Sequence, residues 1–365
     1  MKRSVAVCVA LLLSTPAYSE PAPVQPKILT TAKSVRVVPA QIELPQQAGL
    51  MTLESSKEYG SDGFDNVIQY ASPDKQISGT AFVYFPSLPD TGLTFLATDA
   101  IIRKRFGEGT RVASDQLVAV GGVANAGRKV VYGGASNGTR STAAMFVRAG
   151  GWIIVLRMSG PASRASEIEM QIDAVAAKLS FAKDSKPYPA TLVTTSGCKA
   201  TQQVDADVVR PSQAAVLERT LIPVSNNMEI AKKKLWDPPV PAALCLSGSS
   251  DIKDVITQDF QLPATPKKAS AARKFRLVGD AGYVLEVTGS KVEPGVYLVI
   301  RYGIGSFDVL GAFRGIPSDA QLDRITAQDG SIPVLARVEM SAGGNSNITL
   351  NCDDTKEGCA AKNAK

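Results

Sequence analysis

The strongest constraint on the fold lies between residues 128 and 158. Three aliphatic, β-branched runs, "RKVVYG" (128–133), "STAAMFVR" (141–148) and "WIIVLRM" (152–158), follow one another with little between them. Strands joined this closely pair antiparallel, because a parallel crossover needs a dozen or more residues. The joints carry the residues of tight turns. "GGASNG" holds three glycines and an asparagine, and "AGG" at 149–151 is shorter still. An antiparallel meander is predicted.

Helices flank it. Ile168, Ile172, Val175 and Leu179 recur at 4-3-4 spacing and predict a helix over 162–180 with one buried face. Its Glu169 and Asp173 put like charges four residues apart, which costs helix stability. Earlier strands are expected at 34–38, 66–70 and 77–85, and a helix at 94–106 with Phe95, Ile102 and Phe106 on one stripe. A sheet with flanking helices makes the fold class α+β, an antiparallel-sheet sandwich.

The opening residues constrain the compartment. Lys2 and Arg3 precede an apolar run from Val5 to Leu13, too short to span a bilayer, and Ala17 and Ser19 offer a small-residue cleavage site. Residues 1–19 read as a secretory signal, and 20–33 as a Pro-rich lead-in. A periplasmic, exported protein is expected, with no membrane-spanning segment. Loss of Lys2 and Arg3 with the leader leaves 38 basic against 34 acidic residues, a net +4. The charge is scattered, with "KKK" at 232–234 the densest run and no basic stripe interleaved with aromatics, which argues against nucleic-acid binding.

Beyond the leader, the cysteines are Cys198, Cys245, Cys352 and Cys359. An even number in an exported chain reads as two disulfides with three possible connectivities. Cys198–Cys245 and Cys352–Cys359 are the favoured pairs. Zinc is not expected, since the chain has no histidine and no C-x-x-C. All four follow "KDSKPYPA" at 183–190, where prolines break the chain, so domains are expected at 34–186 and 187–365. In the second, strands are predicted at 273–278, 283–288, 295–302, 332–340 and 346–351. Helices are predicted at 228–236 and 318–328, and a flexible connector at 262–274. "GGWIIVLRMSG" (150–160) echoes "PGVYLVIRYG" (294–303), as two central strands would.

Catalytic chemistry finds little support. "GASNG" fits the nucleophile-elbow pattern around Ser136, but a serine nucleophile needs a base, nearly always histidine, and an elbow leads into a helix rather than a strand. Ser180–Lys183 and Ser250–Lys253 fit S-x-x-K without the companion motifs of penicillin-recognising enzymes. Asp353, Asp354 and Glu357 lie in a short loop that lacks the spaced ligands of a calcium site. Glu54, Asp99 and Asp173 stand isolated, although two carboxylates of a glycosidase need only meet in space. "GEGT" (107–110) and "GIGSFD" (303–308) read as turns, not phosphate loops. The candidate ligand-binding residues are Arg157 and Arg301, strand-end arginines able to present a bidentate fork to a carboxylate or phosphate.

The order "ISGTAFVYFP", an early helix, then "GGWIIVLRMSGP" leading into "EIEMQIDAVAAKLSF" resembles the PsbP-like α/β/α sandwich. In that superfamily a Trp-led strand passes through an arginine, and a helix ends in a Leu-x-Phe/Trp tag; here these are Trp152, Arg157, Leu179 and Phe181. The resemblance covers roughly residues 34–183 and implies a non-catalytic accessory or interaction module with no shared catalytic residues. The whole resembles an exported bacterial protein. The expectation is therefore a non-enzymatic binding or scaffolding protein of the cell envelope, without cofactor or metal, with an envelope protein as partner. The alternatives are a small-molecule or glycan-binding protein using Arg157 or Arg301, and a histidine-free hydrolase.

Overall fold

The computed structural model describes residues 26–60, 62–198, 204–231, 243–252, 254–261, 274–279, 283–327, 334–341, 345–355 and 358–361. The first half opens with β1 (Ile28–Thr30), β2 (Ser34–Val37), β3 (Ile42–Pro45), β4 (Gln47–Ala48) and β5 (Met51–Glu58). Next come β6 (Asp65–Ala71), β7 (Ser78–Tyr84), α1 (Thr91–Phe106), β8 (Arg111–Val120) and β9 (Val123–Ala135). It ends with β10 (Arg140–Ala149), β11 (Trp152–Pro161), α2 (Ala165–Ala177), β12 (Ser180–Phe181) and β13 (Pro187–Tyr188).

The meander forms as expected: β9, β10 and β11 pair antiparallel, with Val147 opposite Ile154 and Ala144 opposite Val130. They lie inside a nine-stranded sheet of order β4-β5-β6-β7-β11-β10-β9-β8, with β13 alongside β10. The connection from β7 to β8 passes through α1 to the far edge, so β11 is central. β1, β2, β3 and β12 make a separate small sheet.

The two helices take opposite faces. α2 stops at Ala177, short of the expected residue 180, after a 3-10 turn at Ala162–Arg164. Leu179 still reaches the core, and Ser180 and Phe181 leave the helix to pair with Glu43 and Ile42 of β3. The like charges Glu169 and Asp173 are reconciled by buried Lys129 of β9, whose Nζ lies 2.8 Å from Asp173 and 4.0 Å from Glu169. On the other face, α1 is capped by Asp90, whose carboxylate accepts the Leu93 N–H at 2.9 Å. Thr91 to Thr98 are all buried, more than a single stripe requires. A helix buried all round is covered on more than one side. Here Phe95 meets Phe146 of the first sheet edge-on at 5.8 Å, while Leu88, Leu93 and Ala97 share a small cavity with Leu277, Val284 and Tyr302 of the second half.

The second half comprises β14 (Thr194–Gly197), β15 (Asp207–Val209), α3 (Gln213–Ala231), β16 (Ala243–Ile252), β17 (Val255–Gln261) and β18 (Lys274–Val278). Then follow β19 (Tyr283–Gly289), β20 (Val296–Tyr302), β21 (Ser306–Arg314), α4 (Asp319–Ala327), β22 (Ala336–Met340), β23 (Ser346–Leu350), β24 (Cys352–Thr355) and β25 (Gly358–Ala361). From β16 to β23 the strands pair in sequence order, with β14 added parallel at one edge and β15 beside β21. β17 pairs directly with β18, so the connector expected at 262–274, mostly outside the described residues, does not divide this half into two sheets. The helix expected at 228–236 starts far earlier, at Gln213, where the Ser212 hydroxyl accepts the Ala215 N–H at 3.2 Å. Pro223 lies inside it, and a proline, disfavoured in helix interiors, argues in the sequence against a helix running through it. "KKK" at 232–234 lies outside the described residues.

Both favoured disulfides are present, Cys198–Cys245 and Cys352–Cys359, with Cα separations of 4.8 and 5.4 Å. The echo between β11 and β20 is that of two central strands: one sheet carries a crossover through α1, the other is a sequential meander. Among the described residues no helix is long and apolar enough to cross a membrane.

The halves touch through paired backbone and charge. Pro86 bridges Ile304, the Ser87 hydroxyl and N–H both donate to the Gly303 carbonyl, and Lys104 lies 2.6 Å from Asp251.

Candidate functional site

A cleft of about 550 Å³ lies on the part of the first sheet that α1 leaves uncovered. Side chains of alternate strand residues share a face, and the register sets these out in cross-strand rungs. Gln69, Thr80 and Arg157 lie side by side across β6, β7 and β11. The next rung is Val67, Phe82 and Val155, and beyond it Asp65 faces Tyr84. The floor thus runs from a polar, cationic end, across an apolar strip, to an acidic end.

α1 forms one wall. Val155 neighbours Phe146, which neighbours Arg128, so all three face the same side of the sheet. α1 sits over the latter two: Arg128 stacks on Phe95 at 3.6 Å from the ring centre. Its Thr98 and Arg105 reach the cleft. The C-terminal end of α1 lies beside the β9–β10 turn, where the Ser136 N–H donates to the Phe106 carbonyl at 2.7 Å. Arg140, at that turn, pairs with Pro161, beyond Arg157 on β11. Arg105 therefore sits toward the Arg157 end. Tyr59, whose N–H donates to the Asp65 carbonyl at 2.7 Å, and Ile304 of the second half close the other.

The electrostatics follow this polarity. Burial, reinforced by the neighbouring Asp62 carboxylate, pushes the Asp65 carboxyl above the ordinary aspartate range. The half-buried Arg157 guanidinium lies 5.6 Å from the Phe82 ring centre. Gln69 is oriented from the side, its Oε1 accepting the Ser55 hydroxyl at 2.8 Å. The lining is a mixture of aromatic faces, amide, hydroxyl and guanidinium donors, and one carboxyl, a composition suited to fixing an amphipathic molecule in one orientation.

The two arginines singled out by sequence are not brought together. Arg157 is not at a strand end, since β11 runs on to Pro161; it lies in the cleft. Arg301 is on the second sheet, where its guanidinium holds the buried Asp308 at 2.7 Å. Arg337 grips the other Asp308 oxygen, also at 2.7 Å. Burial would raise the Asp308 carboxyl, but Arg337 and Arg301 outweigh it and hold it below the usual range. A depressed carboxyl stabilises the fold above its unfolded value, about 3.9, and that contribution is lost as pH falls through the lower folded value. Asp308→Asn should therefore flatten the acid limb of stability below about pH 4, measured as urea midpoint against pH. An unchanged limb would remove Asp308 as its source.

The remaining sequence candidates have structural roles or lie apart. Ser136 is in the strand-to-strand turn, with φ of 48° at Ser136 and 56° at Asn137, as a hairpin joint requires. Ser180 is in β12 and does not end a helix. Ser250 pairs with the Thr257 hydroxyl at 2.7 Å, and Lys253 lies outside the described residues. Asp353 and Asp354 belong to the β24–β25 hairpin, with Glu357 outside the described residues. The isolated acids have basic neighbours: Glu54 pairs with Lys75, Asp99 with Arg103 at 2.8 Å, and Asp173 with Lys129. Among the described residues no three His, Cys, Asp or Glu side chains gather as a metal site.

Sequence reasoning missed most of the cleft, namely Tyr59, Asp65, Gln69, Thr80, Phe82, Tyr84 and Arg105. The signal was the alternation within "DNVIQY" and "GTAFVY", which places Asp65, Val67 and Gln69 on one face and Thr80, Phe82 and Tyr84 on one face.

Over about half its length the chain is structurally similar to the cyanobacterial PsbP (CyanoP) of Synechocystis sp. PCC 6803, with a TM-score of 0.29 and 14% identity, covering 45% of this chain and 99% of that one. A crystal structure from Bacteroides thetaiotaomicron VPI-5482 is also similar, with a TM-score of 0.24 and 11% identity over 55% of this chain and 62% of that one. No protein-family model matches the sequence, and no curated protein does. These likenesses assign no role to any residue here.

Proposed function

We propose that this chain is a non-enzymatic binding protein of the bacterial cell envelope, exported to the periplasm, whose occupant sits in the cleft of the first sheet. The observation that carries the reading is the three-rung floor, in which Arg157 and Asp65 bound an apolar strip under the wall of α1. Concave sites with a few fixed polar groups on a largely apolar lining are where ligands bind. Export is supported by the leader pattern of residues 1–19 and by two disulfides, which persist in oxidising compartments. A scaffolding role would recruit an envelope protein through the same cleft.

The test is a photoreactive side chain installed at Gln69, on the exposed floor, and separately at Met170, 60% exposed on α2 and on the opposite face. Irradiation of the two proteins in the native envelope should give a discrete adduct from position 69 and none from 170. Equal labelling from both positions would sink the reading.

A further inference from the structure

We infer that the protein carries a second binding site, for a neutral sugar, in a cavity of about 440 Å³ where β21, β22 and β23 meet the segment between β5 and β6. It is separate from the cleft, and of the lining residues only Ile304 is common to both. One rung of the second sheet supplies its floor. Ser306 falls opposite Glu339, and Glu339 opposite Asn347, so the three side chains share a face and span about 10 Å across the strands. Asp62 and Phe64 of the first half form the facing wall.

Backbone contacts fix that wall in place. The Gly305 N–H donates to the Phe85 carbonyl, and the Met340 N–H to the Gly305 carbonyl, each at 2.8 Å. Gly305 has φ of 66°, and a Cβ there would lie 2.5 Å from the Phe64 ring. Glycine is what lets this strand approach the ring so closely. Phe64 packs against Phe85 and Trp152, with ring centres 5.1 and 6.0 Å away, and remains half-buried at the cavity.

The donors and acceptors select the ligand. Asp62 and Glu339 are exposed carboxylates, and an ionised carboxylate only accepts. Among the described residues no basic side chain lines the cavity, and Arg337, one rung away on the same face, is forked onto Asp308. Anions, acidic sugars included, are therefore disfavoured. A metal ion or an ammonium suits the carboxylates but brings no acceptor for the amide N–H groups of Asn345 and Asn347. A sugar hydroxyl both donates and accepts, so it meets carboxylate and amide alike. The C–H face of the same ring gives Phe64 and Ile304 their apolar contact.

Saturation-transfer NMR on the full chain tests this with maltotriose, cellotriose and chitotriose against trigalacturonate. A neutral trisaccharide should bind, with its ring C–H protons most strongly saturated, and trigalacturonate should not. Glu339 and Asn347 are exposed, so Glu339→Ala and Asn347→Ala should fold normally. Each should weaken sugar binding about tenfold, the worth of one well-made hydrogen bond. Failure of all three neutral sugars, equal binding of trigalacturonate, or affinity unmoved by both substitutions would overturn the site. Calcium binding by calorimetry that Glu339→Ala abolishes, with no sugar bound, would make it a cation site instead. None of these outcomes bears on the cleft, which labelling from position 69 tests by itself.

Discussion

Arg276→Ala should destabilise the second half by about 3–5 kcal/mol, the usual consequence of leaving a buried charge without its partner. Arg276 and Asp259 are 0% and 2% exposed, and they pair bidentately: Nε to one carboxylate oxygen at 2.8 Å, Nη2 to the other at 2.6 Å. The other guanidinium nitrogen reaches Asp323 of α4 at 2.6 Å, and Lys274, also buried, pairs with Asp319 at the start of α4. This network is how α4 is held to β17 and β18. Truncation strands Asp259 in a place where water cannot reach it. The pair itself is not the source of that cost, since taking two charges out of water offsets much of their attraction. Arg276→Met combined with Asp259→Leu should therefore recover most of the loss. Urea unfolding of the three proteins decides it. A loss under about 1 kcal/mol for Arg276→Ala, the value of an exposed pair, would mean that Lys274 takes over Asp259.

The contrast between Arg157 and Arg301 shows how far the sequence could be read. Their local strings are nearly the same, an aliphatic strand running into an arginine, and both were equally good candidates. Register separated them. Across β20 and β21, Arg301 falls opposite Asp308, an acid that consumes it. Across β11, Arg157 falls opposite Thr80 and Ala144, on the face that lines the cleft. Register depends on bulges and turn lengths that no single strand encodes. One such irregularity lies between Val299 and Ile300, just before Arg301.

Strands were legible where turn glycines and β-branched runs coincide, as in β9 to β11. They were not where the strand is polar: β5, "MTLESSKE", is mostly exposed or half-buried and carries no strong alternation. The α1 stripe was found through Phe95, Ile102 and Phe106, but not its burial on two sides, because that depends on β18 of the second sheet, more than 150 residues later. For the same reason the polar rungs could be located on one face of each strand, while which face α1 would leave open could not.

Replacing Cys198 and Cys245 by serine should cost about 4 kcal/mol, and replacing Cys352 and Cys359 about 2.5 kcal/mol from the cross-link alone, because cross-links restrict the unfolded chain in proportion to the logarithm of the loop they close. The sequence separations are 47 and 7. The larger effect falls on an edge strand: β14 is four residues long, every one exposed, and among the described residues it pairs in parallel with β16. Just beyond it the Cys198 N–H donates to the Leu246 carbonyl at 3.0 Å, and the disulfide fastens the same end. By contrast, Cys352 and Cys359 are buried, 3% and 1% exposed, so serine there also places two hydroxyls among apolar neighbours and adds a packing cost to the smaller entropic one. The two pairs are thus separable: the first variant should lose stability with β14 opening locally, the second through the core beneath α3. Thermal unfolding of the two variants checks the order, and reduction of the wild type should reproduce both cross-link losses together. The compartment is then under test as well. If reductant leaves the midpoint unchanged although thiol titration shows all four cysteines reduced, the bridges do not stabilise the fold, and the case for an oxidising location rests on the leader alone.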